Sequence, residues 1–243
     1  MPDRYGLIGR SLAHSFSPSF FQKKFETEGI DASYELIELA EESDLADFDF
    51  SSYTGLNVTV PYKQAVIPYL DALDEEAQAI GAVNCISIED GKTMGHNTDH
   101  YGFRESLRPI LKRQHRKALI LGDGGAAKAI RYALDEIGLD HLTVSREPGH
   151  GQVGYGELNA AAMEQFVFII NTTPLGTYPD IENRPAIPYE FLGPEHLLYD
   201  LVYNPEETAF LKAGREMGTM CMNGYRMLVL QAERSWAIWR GVN

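Results

Sequence analysis

Cysteine is scarce in this chain: among 243 residues only Cys85 and Cys221 carry thiols. With no CxxC pair, zinc ribbons and disulfide scaffolds are excluded. Both thiols stand among apolar neighbours and read as buried core residues. Basic side chains are also short: 21 Lys and Arg against 35 Asp and Glu give a formal net charge of −14. That is the wrong sign for a broad nucleic-acid surface. No apolar run approaches the roughly 18 residues a membrane-spanning helix needs. The start, Met1-Pro2-Asp3-Arg4, lacks the basic-then-apolar order of a secretory signal, so a cytoplasmic protein is expected. The histidines do not cluster. His96 and His100 are spaced to share a helix face, but no third ligand accompanies them, and no metal site is expected. What is present, 44% apolar and 23% charged residues, is enough to fold as one large domain or two small ones.

The first half alternates strands and helices. Arg4 to Gly9, Tyr34 to Leu39, Leu56 to Val60, Ala82 to Ile88 and Lys92 to Gly95 read as strands. Ser17-Pro18 reads as a helix start, with Ser17 as N-cap and Pro18 at the first helical position. Asp74 to Ile80 is a short helix stopped by Gly81. Asn97-Thr98-Asp99 opens another, and Pro109 ends or kinks it near Leu107. The basic run from Lys112 to Lys117 reads as a solvated connector. The second half repeats strand, turn, helix, strand, with strands at Lys117 to Leu121, Leu142 to Ser145, Phe166 to Ile170 and His196 to Leu201. This order predicts a doubly wound parallel sheet. A last helix runs from Gly224 to Arg240.

Between the strand at Lys117 and the helix ending near Ile137 lie Gly122, Asp123, Gly124, Gly125 and Ala126. A tight glycine turn before a helix presents unpaired backbone N–H groups and the positive end of a helix dipole. That suits a dinucleotide's pyrophosphate. The second strand ends in Ser145-Arg146-Glu147, where an arginine accepts a 2′-phosphate and an acid prefers a free 2′-hydroxyl. In the first half, short polar side chains gather at strand ends and helix starts: Ser15, Ser17, Asn57, Thr59, Lys63, Asn84 and Asp99. Asn57 and Thr59 share one face of their strand. Taken singly, each also has a plain structural reading as a cap, turn residue or solvated amine.

Taken together, the motifs SxSP, NVTxPxK, GAVN, NTDxxG, GxGGA, NTTPLG and a terminal MLVxQA resemble the shikimate dehydrogenase (shikimate/quinate dehydrogenase) family, in order and over nearly the whole chain. The resemblance implies an α/β chain with an N-terminal α/β substrate domain and a Rossmann-type doubly wound cofactor domain. It places the substrate-binding catalytic domain at 1–100 and the Rossmann NADP-binding domain at 101–223. The C-terminal helix, 224–243, returns to the first domain, with the active site in the cleft between the domains. The implied activity is NADPH-dependent interconversion of 3-dehydroshikimate and shikimate, on the way to aromatic amino acids. Lys63 and Asp99 are the implied catalytic pair. Ser15 and Ser17 would hold the substrate carboxylate, and Thr59, Lys63, Asn84, Asp99 and Gln231 the ring hydroxyls, with Tyr203 a further substrate contact. Gly122 to Ala126 would carry the pyrophosphate, and Ser145 and Arg146 the adenosine end. Glu75, Leu201 and Gly224 match further cofactor positions. A small-molecule partner is implied, with neither nucleic acid nor membrane, and a homodimer is left open.

Several positions depart from the family pattern. Its usual Asn-Arg-Thr is here Ser145-Arg146-Glu147, and His150 stands near a second arginine's place. The segment after Arg146 is too short and glycine-rich for the usual helix, so a loop is expected there and NAD stays beside NADP as a cofactor. His96 replaces an acid, and Tyr225-Arg226 departs before Met227. The competing readings are a quinate/shikimate dehydrogenase using NAD, a catalytically silent nucleotide-sensing homologue, and a folate-type dehydrogenase. The SxSP serines favour shikimate over the first and last, and the presence of Lys63 and Asp99 speaks against the silent homologue.

Overall fold

The computed structural model describes residues 2–13 and 15–242. The chain divides into two units, each built on its own six-stranded sheet. One comprises the chain up to Tyr101 together with the segment from Gln231 onward; the other is Gly102–Leu230.

The first unit contains β1 (Asp3–Gly9), α1 (Ser17–Glu28), β2 (Ala32–Glu38), β3 (Gly55–Val58), β4 (Ala72–Leu73), α2 (Glu75–Ile80), β5 (Cys85–Glu89) and β6 (Lys92–His96). Its strands lie in the order β2-β1-β3-β5-β6-β4. β1 runs parallel to β2 and β3, while β5 is antiparallel to β3 and β6. Side chains alternate across such a sheet, and the two faces bury different sets. Ile8, Leu56, Val58 and Ile86 join Tyr62 and Val66 on one side. Tyr5 and Cys85 join Phe21, Phe25 and Trp239 on the other. Tyr5 stacks on Trp239 at 4.8 Å between ring centroids, and the Trp239 indole N–H donates to the Ile86 carbonyl at 2.9 Å. Gly55 is required beneath that indole, because a Cβ there would lie 2.4 Å from the ring.

The second unit begins within α3 (Asp99–Leu107), which ends where Pro109 predicts. It continues through β7 (Lys117–Leu121), α4 (Gly125–Glu136), β8 (Asp140–Ser145), β9 (Gln152–Gly154), α5 (Ala160–Gln165), β10 (Phe168–Asn171), β11 (Leu197–Asp200), α6 (Ala209–Glu216) and β12 (Met220–Met222). The strand order is β12-β11-β10-β7-β8-β9, parallel throughout. Phe103, Ile130 and Leu134 cover one face, and Met163, Phe210 and Leu211 the other. This is the doubly wound sheet expected from the strand–helix order. The last helix, α7 (Tyr225–Trp239), buries Met227 with the second unit's core and Trp239 with the first's.

Among the differences from the sequence reading, two concern the second unit's edge and the thiols. The segment after Arg146 is a loop only over 146–151; Gln152–Gly154 then adds an edge strand parallel to β8. The overlap is three residues, Thr143 to Ser145. The chain therefore returns only about 7 Å along the strand axis, a span six residues cover without a crossover helix. Cys221 is half-buried rather than buried, although burial still pushes its thiol pKa up. Cys85 is fully enclosed, and burial raises its thiol to about 12.

Candidate active site

Lys63 stands in the turn that follows β3. The Thr59 carbonyl accepts from the Tyr62 N–H at 2.9 Å, and the buried Tyr62 hydroxyl donates to the Leu39 carbonyl at 2.6 Å. The Lys63 carbonyl accepts from the Val83 N–H at 2.7 Å. The lysine backbone is thus fixed on both sides, and its Nζ reaches Oδ2 of Asp99 at 2.6 Å. Asp99 heads α3 but does not cap it. Oδ1 of Asn97 accepts from the Asp99 and His100 N–H groups instead, and the Asn97 amide donates to the Ala82 carbonyl. That division of labour leaves the Asp99 carboxylate for the lysine. Both side chains keep an open edge, 16% exposed for Lys63 and 10% for Asp99.

Asn84 holds the pair from behind. Its amide nitrogen donates to Asp99 Oδ1 at 2.9 Å and lies 3.0 Å from Thr98 Oγ1, and its oxygen accepts from the Thr98 N–H at 2.6 Å. Its own N–H donates to His96, and its carbonyl accepts from Val58. Gln231, on α7, joins at Thr98 Oγ1, 3.3 Å away, and at the Asn84 amide, 3.4 Å away. Ser235, one turn further on, links Thr98 to Asn57, whose oxygen accepts from the Tyr34 phenol at 2.8 Å. Thr98 lies within the NTDxxG motif, whereas Ser235 and Tyr34 lie outside every motif that carries the resemblance. Ser235 had a legible signal, since it lies one helical turn after Gln231 on the same face.

Ser17 does not act as the N-cap of α1. Phe16 occupies that position in helical geometry, and its side chain makes no capping hydrogen bond. The Ser17 hydroxyl instead hydrogen-bonds the buried Tyr34 phenol, whose pKa burial drives upward. Ser15 and Thr59 are half-buried, Ser15 at the loop's end before α1 and Thr59 directly after β3. Glu75 is exposed on the first turn of α2. Tyr203 is half-buried beyond β11 in the second unit. His96 engages both ring nitrogens, with Asp74 at 2.6 Å and Ser87 at 2.9 Å, which removes it from any pairing with His100.

In the second unit the glycine turn has the features a pyrophosphate needs. Gly122 has φ +104°, and a Cβ there would meet Thr172 Oγ1 at 2.9 Å. Gly124 is the N-cap of α4, with no side chain on the first-turn N–H groups and open space above its Cα. Ser145, at the end of β8, is buried, and Arg146 is exposed beside it. Gly224 lies against Leu201, where a Cβ would sit 2.1 Å from the Leu201 carbonyl oxygen. These residues fit a nicotinamide dinucleotide: backbone donors for the pyrophosphate and a cation for an adenosine phosphate.

A doubly wound sheet headed by this turn, joined to a mixed sheet carrying a lysine–aspartate pair, defines the class of two-domain α/β dehydrogenases. The family model for the shikimate dehydrogenase substrate binding domain matches residues 7–86. A shikimate dehydrogenase (NADP(+)) of Methanococcus maripaludis is 36% identical over 258 aligned positions, covering 97% of this chain and 91% of the relative. A Thermus thermophilus shikimate 5-dehydrogenase, solved with NADP(H) and shikimate, superposes with a TM-score of 0.87 at 31% identity, covering 99% of this chain and 94% of that one. A Corynebacterium glutamicum quinate dehydrogenase solved with NAD gives a TM-score of 0.83 at 29% identity, with the same coverages. The chain belongs to the shikimate dehydrogenase family.

Proposed function

We propose that this chain catalyses the reversible NADP-dependent reduction of 3-dehydroshikimate to shikimate in the cytoplasm, as a step toward aromatic amino acids. The observation that carries this reading is the 2.6 Å contact between Lys63 and Asp99, backed by Asn84. When bound, the nicotinamide supplies or accepts the hydride. Lys63 gives a proton to the carbonyl oxygen during reduction and takes it back from the carbinol during oxidation. Asp99 fixes the ammonium through one oxygen, and Asn84 fixes Asp99 through the other. Gln231 and Thr59 bind neighbouring ring hydroxyls, Tyr203 adds a contact from the second unit, and Ser15 and Ser17 take the substrate carboxylate. The Ser17 hydroxyl does not cap α1 and is oriented for this by its hydrogen bond with the Tyr34 phenol. The residues Gly122 to Ala126 hold the pyrophosphate, Ser145 and Arg146 the adenosine end, and Glu75, Leu201 and Gly224 the rest of the cofactor.

The test is cofactor reduction followed spectroscopically with shikimate and NADP, with quinate in a parallel arm. Turnover on shikimate well above quinate is expected. Turnover confined to quinate, or none on either acid, refutes the reading.

A further inference from the structure

The adenosine end of the second unit carries a carboxylate that the roles above do not use. Asp123 is the exposed second residue of the glycine turn, and its Oδ2 accepts from the buried Ser145 hydroxyl at 3.4 Å. Ser145 ends β8; its Oγ accepts from the Glu147 N–H at 3.3 Å, and its hydroxyl proton is shared between the Glu147 carbonyl at 3.3 Å and Asp123. The hydrogen bond therefore brings Asp123 to the end of the second strand of this sheet. There an acid in a dinucleotide fold accepts the ribose 2′-hydroxyl. Burial raises the pKa of the half-buried Tyr155 phenol; the Arg146 guanidinium opposes that rise and the Asp123 carboxylate adds to it, so both charges reach this ring. Opposite charges are thus gathered at one corner of the sheet, where a 2′-phosphate would sit between attraction and repulsion.

Resting on the cofactor reading above, we propose that Asp123 is a specificity-determining residue for the dinucleotide. Its carboxylate accepts the 2′-hydroxyl of NAD and repels the 2′-phosphate that Arg146 attracts in NADP, so the chain binds both. The short passage over 146–151 keeps this corner free of a covering helix. Glu147 is also exposed, and among the described residues no hydrogen bond ties its carboxylate to the end of β8, whereas the carboxylate of Asp123 meets the Ser145 hydroxyl there.

Isothermal titration calorimetry of the whole chain with NADP⁺ and with NAD⁺ tests the assignment without reference to turnover. The wild type is expected to bind both within about tenfold of each other. Asp123→Asn is expected to shift the ratio of the two Kd values toward NADP by about fivefold or more, the scale of one partly exposed charge contact. Asp123→Ser, a second exposed polar replacement, is expected to shift it the same way, and Glu147→Gln by less than about twofold. An unchanged ratio in both Asp123 variants, or a Glu147→Gln shift that matches theirs, overturns the assignment. Absence of NAD binding in the wild type also overturns it while leaving the NADP reading intact. Failure to bind either dinucleotide refutes both.

Discussion

Nζ of Lys63 lies 2.6 Å from Oδ2 of Asp99, while Oδ1 of the same carboxylate accepts from the Asn84 amide at 2.9 Å. One oxygen faces the amine and the other faces the scaffold, so the carboxylate cannot rotate without losing a partner. Removing the amine should abolish proton transfer and leave the sheet intact. Lys63→Ala is expected to lower kcat by about a hundredfold or more, with an unchanged far-ultraviolet circular dichroism spectrum. Near-normal turnover would contradict the assigned role.

Asn84 tests positioning separately from chemistry. Asn84→Ala deletes the donor to Asp99 and the acceptor for the Thr98 N–H. A lost hydrogen bond to a charged group corresponds to about 10- to 100-fold in rate. If Asn84 only binds a substrate hydroxyl, KM rises and kcat holds. If it fixes Asp99, kcat falls as well, and steady-state kinetics on shikimate separate the two.

Gly224 is held to glycine by contact rather than by torsion. A methyl group there would overlap the Leu201 carbonyl at 2.1 Å. Gly224→Ala is expected to cost about 1–3 kcal/mol of stability, as overpacking does. Gly156→Ala, where a Cβ meets nothing within 4 Å, should stay within about 0.5 kcal/mol of wild type. Urea denaturation of both variants compares them directly.

Asp200 gives the second unit a pH signature. It is fully buried, and burial pushes its carboxyl up to about 6 against hydrogen bonds from Thr208, Val202 and Asn171. Unfolded, the acid ionises near the ordinary value of 3.8. Between these two values the folded chain binds more protons than the unfolded chain, so stability falls as pH rises from about 4 to about 6 and then levels. The contribution is on the order of 3 kcal/mol. Asp200→Asn should remove this component, so that wild-type minus variant stability declines over that window in denaturation curves taken at successive pH values. A flat difference would contradict it.

Much of this was legible beforehand because long elements carry periodicity. The buried run of β7, the glycine turn and the apolar stripe of α4 lie together in sequence, so one window reveals them. The strands β4, β9 and β12 have two or three residues each, too few for a pattern, and they exist through pairing with distant neighbours. In α6, Thr208 caps the helix and Phe210 and Leu211 are buried, so the signal was present although no helix was assigned there. The cap of α1 is hidden from the sequence for a different reason. Ser17 and Phe16 are adjacent, and the backbone angle at Phe16, together with the phenol of Tyr34, decides which side chain turns inward. Likewise, the motif names Asn97 and Asp99 together, but only coordinates reveal which caps the helix and which meets the lysine.

The helix-free passage between β8 and β9 has an evolutionary consequence. Its residues are exposed and belong to a different unit from Lys63 and Asp99. Insertions, deletions or charge reversals in that loop can accumulate without disturbing the contact between Lys63 and Asp99. A lineage adapting to a changed supply of reducing coenzyme would thus find its variable ground there, leaving the reaction itself as inherited.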